Sequence, residues 1–393
     1  MLRFTDAQRR TRLAVRHGLH PDHRHPDPTA AARAMTALHA TEPATVHLSL
    51  HARVDGLDID AVEAELNDRR SIVKQLAMRR TLFGVTPDLL PAVLGSASAR
   101  VAAAELRRLA ADVERAGVAT DGAAWVEDAA AAVLAALGAD GAAETAALRE
   151  RVPALAERIV FGSGKWTQEA PVAPRVLTVL GARGLVFRGR NGGTWRTSRP
   201  RWTPARAWLG EDPAPLEEAA GYAALVRRWL WTFGPGTETD LVWWLGSTRT
   251  AARRALADVA ATRVELDSGE IGWVLPGDEE PEPAVTPWAA LLPTLDPTTM
   301  GWKQRAFYLD PADAPYLFDS AGNAGTTAWW DGRVVGCWVQ DATASVRVVL
   351  RTDPGTEGRA ALEREAERLT AFLAGQVLAS VYASPQMRGE KLR

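Results

Sequence analysis

His39 and Thr41 leave the backbone two residues apart in the segment His39-Ala40-Thr41-Glu42-Pro43. In an extended chain, residues so spaced point to the same side. An imidazole and a hydroxyl placed that way can hold one water between them. Spacing alone admits a plainer arrangement, and favours it: Thr41 caps the following helix and His39 is a buried, hydrogen-bonded ring. Glu42 adds a carboxylate beside the proline, either as an electrostatic stabiliser or base, or as a helix-entry cap. All seven histidines fall within the first 51 residues, so any imidazole-based step belongs to the N-terminal part. His20, His23 and His25 sit in a proline-rich loop without carboxylates at defined spacing, which reads as solvated surface rather than a metal site. No metal and no cofactor are expected.

A second constellation is electrostatic. Between Ala170 and Gly210 the chain carries eight arginines and no acidic residue, although its net charge is −2. The eight are Arg175, Arg183, Arg188, Arg190, Arg196, Arg199, Arg201 and Arg206. They straddle an apolar helix and a hairpin, Leu185 to Thr197, with a turn expected at Asn191-Gly192. A single-sign run of this kind points to a polyanion, most simply duplex DNA. Arg188, Arg190, Arg196 and Arg199 are the candidate phosphate contacts, while Phe187 and Trp195 pack or wedge. Lys165 and Trp166, after Gly162-Ser-Gly164, fit phosphate and sugar contacts, or equally a glycine loop packed by an indole. The competing reading of the run is a solvated arginine face with no ligand.

These residues need a scaffold, and 393 residues suffice for two to four domains. Helices followed by strand pairs recur three times along the chain. Expected units are 1–95, which carries the His39–Thr41 segment, 96–212, with an Ala-rich helical scaffold and the basic hairpin, and 213–278. A β-rich unit, 284–393, with a closing helix follows. The fold class is therefore α+β: three tandem winged-helix units with a helical scaffold plus a C-terminal small β-barrel. The single cysteine, Cys337, excludes an intrachain disulfide and a Cys-based zinc site. No apolar run is expected to reach spanning length, so the expectation is a cytoplasmic protein without membrane contact.

The segment Leu38-His-Ala-Thr-Glu-Pro-Ala-Thr-Val-His-Leu-Ser-Leu-His-Ala-Arg53 resembles the signature of winged-helix DNA glycosylases of the AlkZ/YcaQ type. That signature runs Leu-Gln-Ala-Gln-Asp-Pro and then Leu-Ser-Leu-Trp-Ala-Arg. Met78-Arg-Arg-Thr-Leu82 is similar to the family's Arg-Gly-Thr-Leu strand. Phe233-Gly-Pro235, Leu291-Leu-Pro-Thr-Leu-Asp-Pro297, Trp302-Lys-Gln-Arg305 and Gly332-Arg-Val-Val-Gly336 resemble its later landmarks. The resemblance implies a DNA-binding concavity and excision of bulky N7-alkylated purines, interstrand crosslinks among them. It implies double-stranded DNA as partner, and no obligate protein partner is expected. It places the catalytic pair at His39 and Thr41, where the family has glutamine and then glutamine or aspartate. Glu42 and Asp296 become candidate pocket residues, and Lys303 and Arg305 candidate DNA contacts. The alternative is a non-catalytic winged-helix protein, a regulator or lesion binder, in which His39 and Thr41 have replaced the active pair.

Overall fold

The computed structural model describes residues 1–161 and 168–390. The chain opens with β1 (Arg3–Phe4) and α1 (Asp6–Arg16), which starts at Thr5 through a reciprocal capping box with Gln8. One order of elements then recurs: a helix, a short strand, two helices and a strand pair.

In its first occurrence α2 (Pro28–Ala34) leads into β2 (Leu38–His39), α3 (Pro43–His51) and α4 (Ile59–Asn67). The pair β3 (Val73–Leu76) and β4 (Leu82–Val85) follows, and the sheet order is β2-β4-β3. Asp58 caps α4 by accepting the Ala61 N–H at 2.7 Å. Two scaffold helices come next, α5 (Leu90–Val93) and α6 (Ala99–Arg115).

The second occurrence comprises α7 (Gly122–Asp140), α8 (Thr145–Arg151), β5 (Arg158–Phe161), β6 (Gln168–Pro171), α9 (Ala173–Ala182), β7 (Val186–Asn191) and β8 (Pro200–Pro204). Its short strand is reduced to one bridge, Ala143 to Trp202. After α10 (Ala205–Leu209), the third occurrence runs α11 (Glu218–Phe233), β9 (Gly236–Thr237), α12 (Glu238–Leu245), α13 (Arg249–Asp258), β10 (Thr262–Leu266) and β11 (Ile271–Val274). Its order is β10-β11-β9, and β1 joins β10 in parallel. The C-terminal part holds β12 (Ala289–Leu292), α14 (Ala314–Leu317), β13 (Thr327–Trp330), β14 (Arg333–Gln340), β15 (Val346–Leu350) and α15 (Gly355–Leu373).

Four expectations change. The C-terminal sheet is not a closed barrel but an open four-stranded sheet, β12-β13-β14-β15, with α15 on one face. That helix buries the sheet's apolar face, so the strands need not close on themselves. The hairpin does not turn at Asn191-Gly192: β7 runs to Asn191, opposite Pro200, and 192–199 form a longer loop. The reason is Trp195, which is buried between His47 of α3 and Phe372 of α15, at ring-centroid distances of 4.8 and 6.5 Å. A two-residue turn could not reach that far. Unit 96–212, expected to hold a helical scaffold and the basic hairpin, also contains an antiparallel pair, β5–β6, ending at Pro171. Finally, α7 is long and apolar enough to cross a membrane, because alanine dominates it. Its Val126, Ala129, Val133 and Leu137 are buried in a protein core instead.

That core belongs to the second unit alone, joining α6 and α7 to α9 through Leu109, Val133, Val176 and Leu180, with Trp202 beside them. A larger core runs through the first and third units and into the C-terminal part. Leu38, Phe83, Trp229, Phe233, Trp302, Tyr308 and Trp329 all lie in it. The strand end at His39 is therefore fixed from both sides, by its own sheet and by elements more than 200 residues away in the chain.

Candidate functional site

β2 pairs antiparallel with β4, His39 opposite Phe83, and the Ala40 N–H donates to the Leu82 carbonyl at 2.9 Å. The ladder thus holds the chain extended to Ala40, and His39 and Thr41 line one cavity of about 320 Å³. Pro43 then starts α3, since its fixed φ suits a first helical turn. The other walls come from distant segments: Arg79 and Arg80 between β3 and β4, Trp243 of α12, Met300, Asn323 and Tyr382.

The two residues meet different surroundings. His39 is 3% exposed and packs on Phe83, with ring centroids 4.6 Å apart. Its Nδ1 is sealed without a partner, and its Nε2 lies 3.5 Å from Arg79 Nη2, the outer limit of a hydrogen bond. Burial, reinforced by the Arg79 cation, holds the imidazole pKa well below its ordinary 6.5, so the ring is neutral at physiological pH. Thr41 is exposed and lines a second, larger cavity of about 670 Å³ as well. It does not cap α3.

Glu42 occupies the N-cap position of α3 but makes no side-chain cap bond. Its carboxylate accepts instead from Thr294 Oγ1 at 2.7 Å, from Ser380 Oγ at 2.8 Å and from the Val381 N–H at 2.7 Å. It ties the strand end to the C-terminal segment and is, among the described residues, the one carboxylate lining the larger cavity.

Asp296 lines neither of these two cavities. It is fully buried in a two-pronged ion pair with Arg53, at 2.7 and 2.9 Å, and also accepts from Ser49 Oγ and the Thr298 N–H. A carboxylate this deep is stable as an ion only with such a partner set, and here both its oxygens are used inside the protein. The two motifs that carry Arg53 and Asp296 therefore serve to lock α3 onto the segment before β13.

The candidate DNA contacts fall into distinct settings. Lys303 is exposed. Arg305 stacks on Phe318 and Trp243, 4.4 and 5.3 Å from their ring centroids. Lys165 and Trp166 lie outside the described residues. The arginine run is not a free cationic face. Arg175, Arg183, Arg190, Arg199 and Arg206 pair with Asp112, Glu127, Asp68, Glu144 and Asp212. Arg196 and Arg201 donate to the Val377 and Ala142 carbonyls, and Arg188 is half-buried over Trp202. Arg190, Arg199, Arg201 and Arg206 remain exposed. Exposed ion pairs of this kind are weak, so a phosphate can replace the carboxylate at small cost. Arg196 also borders the larger cavity, which joins the basic loop to Thr41.

Arg79 was the residue missed by sequence reasoning. It stood inside the Met78–Leu82 segment, but nothing local indicated that it turns inward. Asn323 and Tyr382 gave no signal at all. Among the described residues no group of His, Cys, Asp and Glu is arranged to hold a metal ion.

The family described as DNA glycosylase AlkZ-like matches residues 32–372. Among solved structures, the Streptomyces sahachiroi DNA glycosylase AlkZ has a similar fold, with a TM-score of 0.71 at 20% sequence identity. The alignment covers 95% of this chain and 97% of that one. No curated protein matches. The extent of the family match, which takes in the His39–Thr41 strand, the Arg53–Asp296 lock and the C-terminal sheet, establishes that this chain belongs to the AlkZ-like DNA glycosylases.

Proposed function

We propose that this enzyme is a monofunctional glycosylase that excises bulky N7-alkylated purines, interstrand crosslinks among them, from duplex DNA. In this reading the three recurrent helix–strand–helix–helix–hairpin units are winged helices, and α4, α9 and α13 stand in the place of their DNA-facing helices. The exposed arginines of the second unit bind phosphates. The observation that carries the proposal is the position of Thr41, at the join of two cavities that differ about twofold in volume. The larger lies within the range that accommodates a drug-sized ligand, which suits an extruded base with its adduct.

Alkylation at N7 gives the base a positive charge and makes it a good leaving group, so no general acid is needed. The protein has to stabilise an oxocarbenium-like sugar and hold a water on its far face. Thr41 orients that water through its hydroxyl. His39, neutral, takes the water's proton through Nε2 as the new C–O bond forms and the glycosidic bond breaks toward the purine. Glu42, the carboxylate of the larger cavity, supplies negative potential beside the sugar.

The test is an excision assay on an N7-methylguanine duplex beside a duplex with a bulky N7 adduct. Release of free modified base and an abasic strand is expected from the wild type, and loss of release from His39→Ala with DNA binding retained. A wild type that binds both duplexes and releases base from neither would leave only a DNA-binding protein.

A further inference from the structure

We propose that Arg79 is a phosphate-binding residue of the excision site, one that covers His39 in the free protein and uncovers it when DNA arrives. The inference rests on the reading of the His39–Thr41 cavity as the place where base is released. It adds a substrate contact and a conformational step that the pair alone does not contain.

The local chain is built to aim this side chain. Arg79 and Arg80 are consecutive residues in the left-handed region, at φ of 52° and 60°. L-residues adopt that region only at a cost, and two in succession need support from their surroundings. Gly246 at the end of α12 leaves the room for Arg79, since an added Cβ there would lie 2.9 Å from both the Arg79 nitrogen and its Cγ. The result is a divergence of two neighbouring guanidiniums. Arg80 turns outward to Glu105, 3.0 Å away. Arg79 turns inward, over the face of Trp243 at 4.0 Å from the ring centroid, and lines the cavity with His39 and Thr41.

Once inside, Arg79 has almost nothing to bond. A guanidinium carries five N–H donors and no acceptor. Here Nε is sealed without a partner, and Nη2 finds only His39 Nε2 at 3.5 Å. Among the described residues Arg79 has no ion-pair partner, and the cavity lining contains no carboxylate. Its near neighbours are the cation of Arg305 and a neutral imidazole. Arg79 is half-buried, and cations drawn this far out of water are ordinarily paired, as the fully buried Arg53 is with Asp296 in the same protein. The arginines of the basic run show the contrast, since Arg190 and Arg199 carry carboxylate partners although they are exposed. An unpaired cation held against strain, facing a cavity with room for a ligand, is arranged for an anion. In a DNA glycosylase the anion at hand is a phosphodiester oxygen beside the extruded nucleotide, which accepts two guanidinium N–H groups at once.

The same contact changes His39. While Nη2 faces Nε2, that nitrogen's lone pair is covered by a donor and cannot take a proton from water. A phosphate oxygen is a far better acceptor than an imidazole 3.5 Å away. When it draws the guanidinium to itself, Nε2 is left open toward the cavity.

Equilibrium binding of the full chain tests this, using fluorescence anisotropy with a duplex that holds a tetrahydrofuran abasic site, over a series of salt concentrations. For Arg79→Gln the slope of log K against log salt is expected to shrink by about 0.9, the value for one phosphate contact. Arg79→Lys, which keeps the charge, is expected to retain the wild-type slope. An undamaged duplex, with no nucleotide out of the stack, should show one slope for all three proteins. A purely structural role would weaken both duplexes with parallel lines, and an unchanged slope on the abasic duplex would overturn the assignment. If Arg79→Gln does not fold by thermal melting, inorganic phosphate against wild type and Arg79→Lys decides. Phosphate should compete for the abasic duplex beyond what sulfate-free salt of equal ionic strength does, and no excess competition would overturn the contact.

The uncovering of His39 has its own readout in ¹⁵N-labelled histidine. The Nε2 resonance of His39 should move on binding the abasic duplex, and in free Arg79→Gln it should already be moved. A resonance indifferent to both would remove the covering step. Binding is read here without base release, so the two proposals fail separately. A wild type that releases no base costs the excision reading alone, whereas normal release with an unchanged slope costs the Arg79 assignment alone.

Discussion

Thr41 and His39 come from one strand end yet stand in opposite conditions, one exposed at the join of two cavities and one sealed to 3% exposure. In the proposed mechanism the exposed hydroxyl holds the attacking water, and the buried ring accepts a proton only after Arg79 has moved. Thr41→Ala is therefore expected to slow single-turnover base release by about 10²-fold, the scale on which a misplaced reactant is felt. DNA affinity should stay within about twofold. An unchanged rate in that variant would remove Thr41 from the chemistry. Spacing alone favours a cap and a buried ring, and only the surrounding Leu38–Arg53 signature points to catalysis. Half of the plainer arrangement is what the structure contains, since His39 is buried; Thr41 is not a cap, because Pro43 and Glu42 already begin α3.

At the scale of elements, α3 is held where it is by the Arg53–Asp296 pair, with both side chains completely buried. Asp296→Asn keeps the shape but leaves the Arg53 guanidinium without its counter-charge. Loss of about 3–5 kcal/mol of stability is expected, the range for breaking one side of a buried pair, and urea unfolding checks it. A change below 1 kcal/mol would mean the pair is not what locks α3. Helix starts were legible because they are local: Thr5 with Gln8 and Asp58 with Ala61 are decided within four residues. The turn after β7 was not, because Trp195 is drawn toward α15, some 180 residues later in the chain. Nor was the balance of the arginine run. The carboxylates that answer it, Asp68, Asp112, Glu127, Glu144 and Asp212, all lie outside residues 170–210.

Across the whole molecule, buried histidines join the N-terminal unit to the rest. His17 links Thr298 to the Thr232 carbonyl through its two nitrogens, and burial, then Arg53, pushes its pKa down to about 3. His51 stacks on Phe372 with both nitrogens sealed, and burial, then Arg368, pushes it down to about 2. His39 is lowered in the same sense. In the unfolded chain each takes up a proton near 6.5, while the folded protein does not until far lower pH. The unfolded state thus binds more protons throughout that window, and stability is lost as pH falls through 6.5. At pH 5.5 His17 and His51 each cost on the order of 1 kcal/mol, and His39 acts in the same direction. The urea midpoint should therefore fall between pH 7.5 and 5.5, and His51→Phe should flatten that fall. A midpoint constant over the range would contradict the burial of these rings.

In the proposed function, the cavity at the end of β2 breaks a glycosidic bond. The most direct measurement of that step is chromatographic detection of free base from a duplex bearing one bulky N7-alkylguanine, incubated with excess wild-type protein at pH 7. The expected result is release of the intact modified base with a matching yield of abasic strand. A duplex that is tightly bound and returned with its adduct still attached would contradict the account.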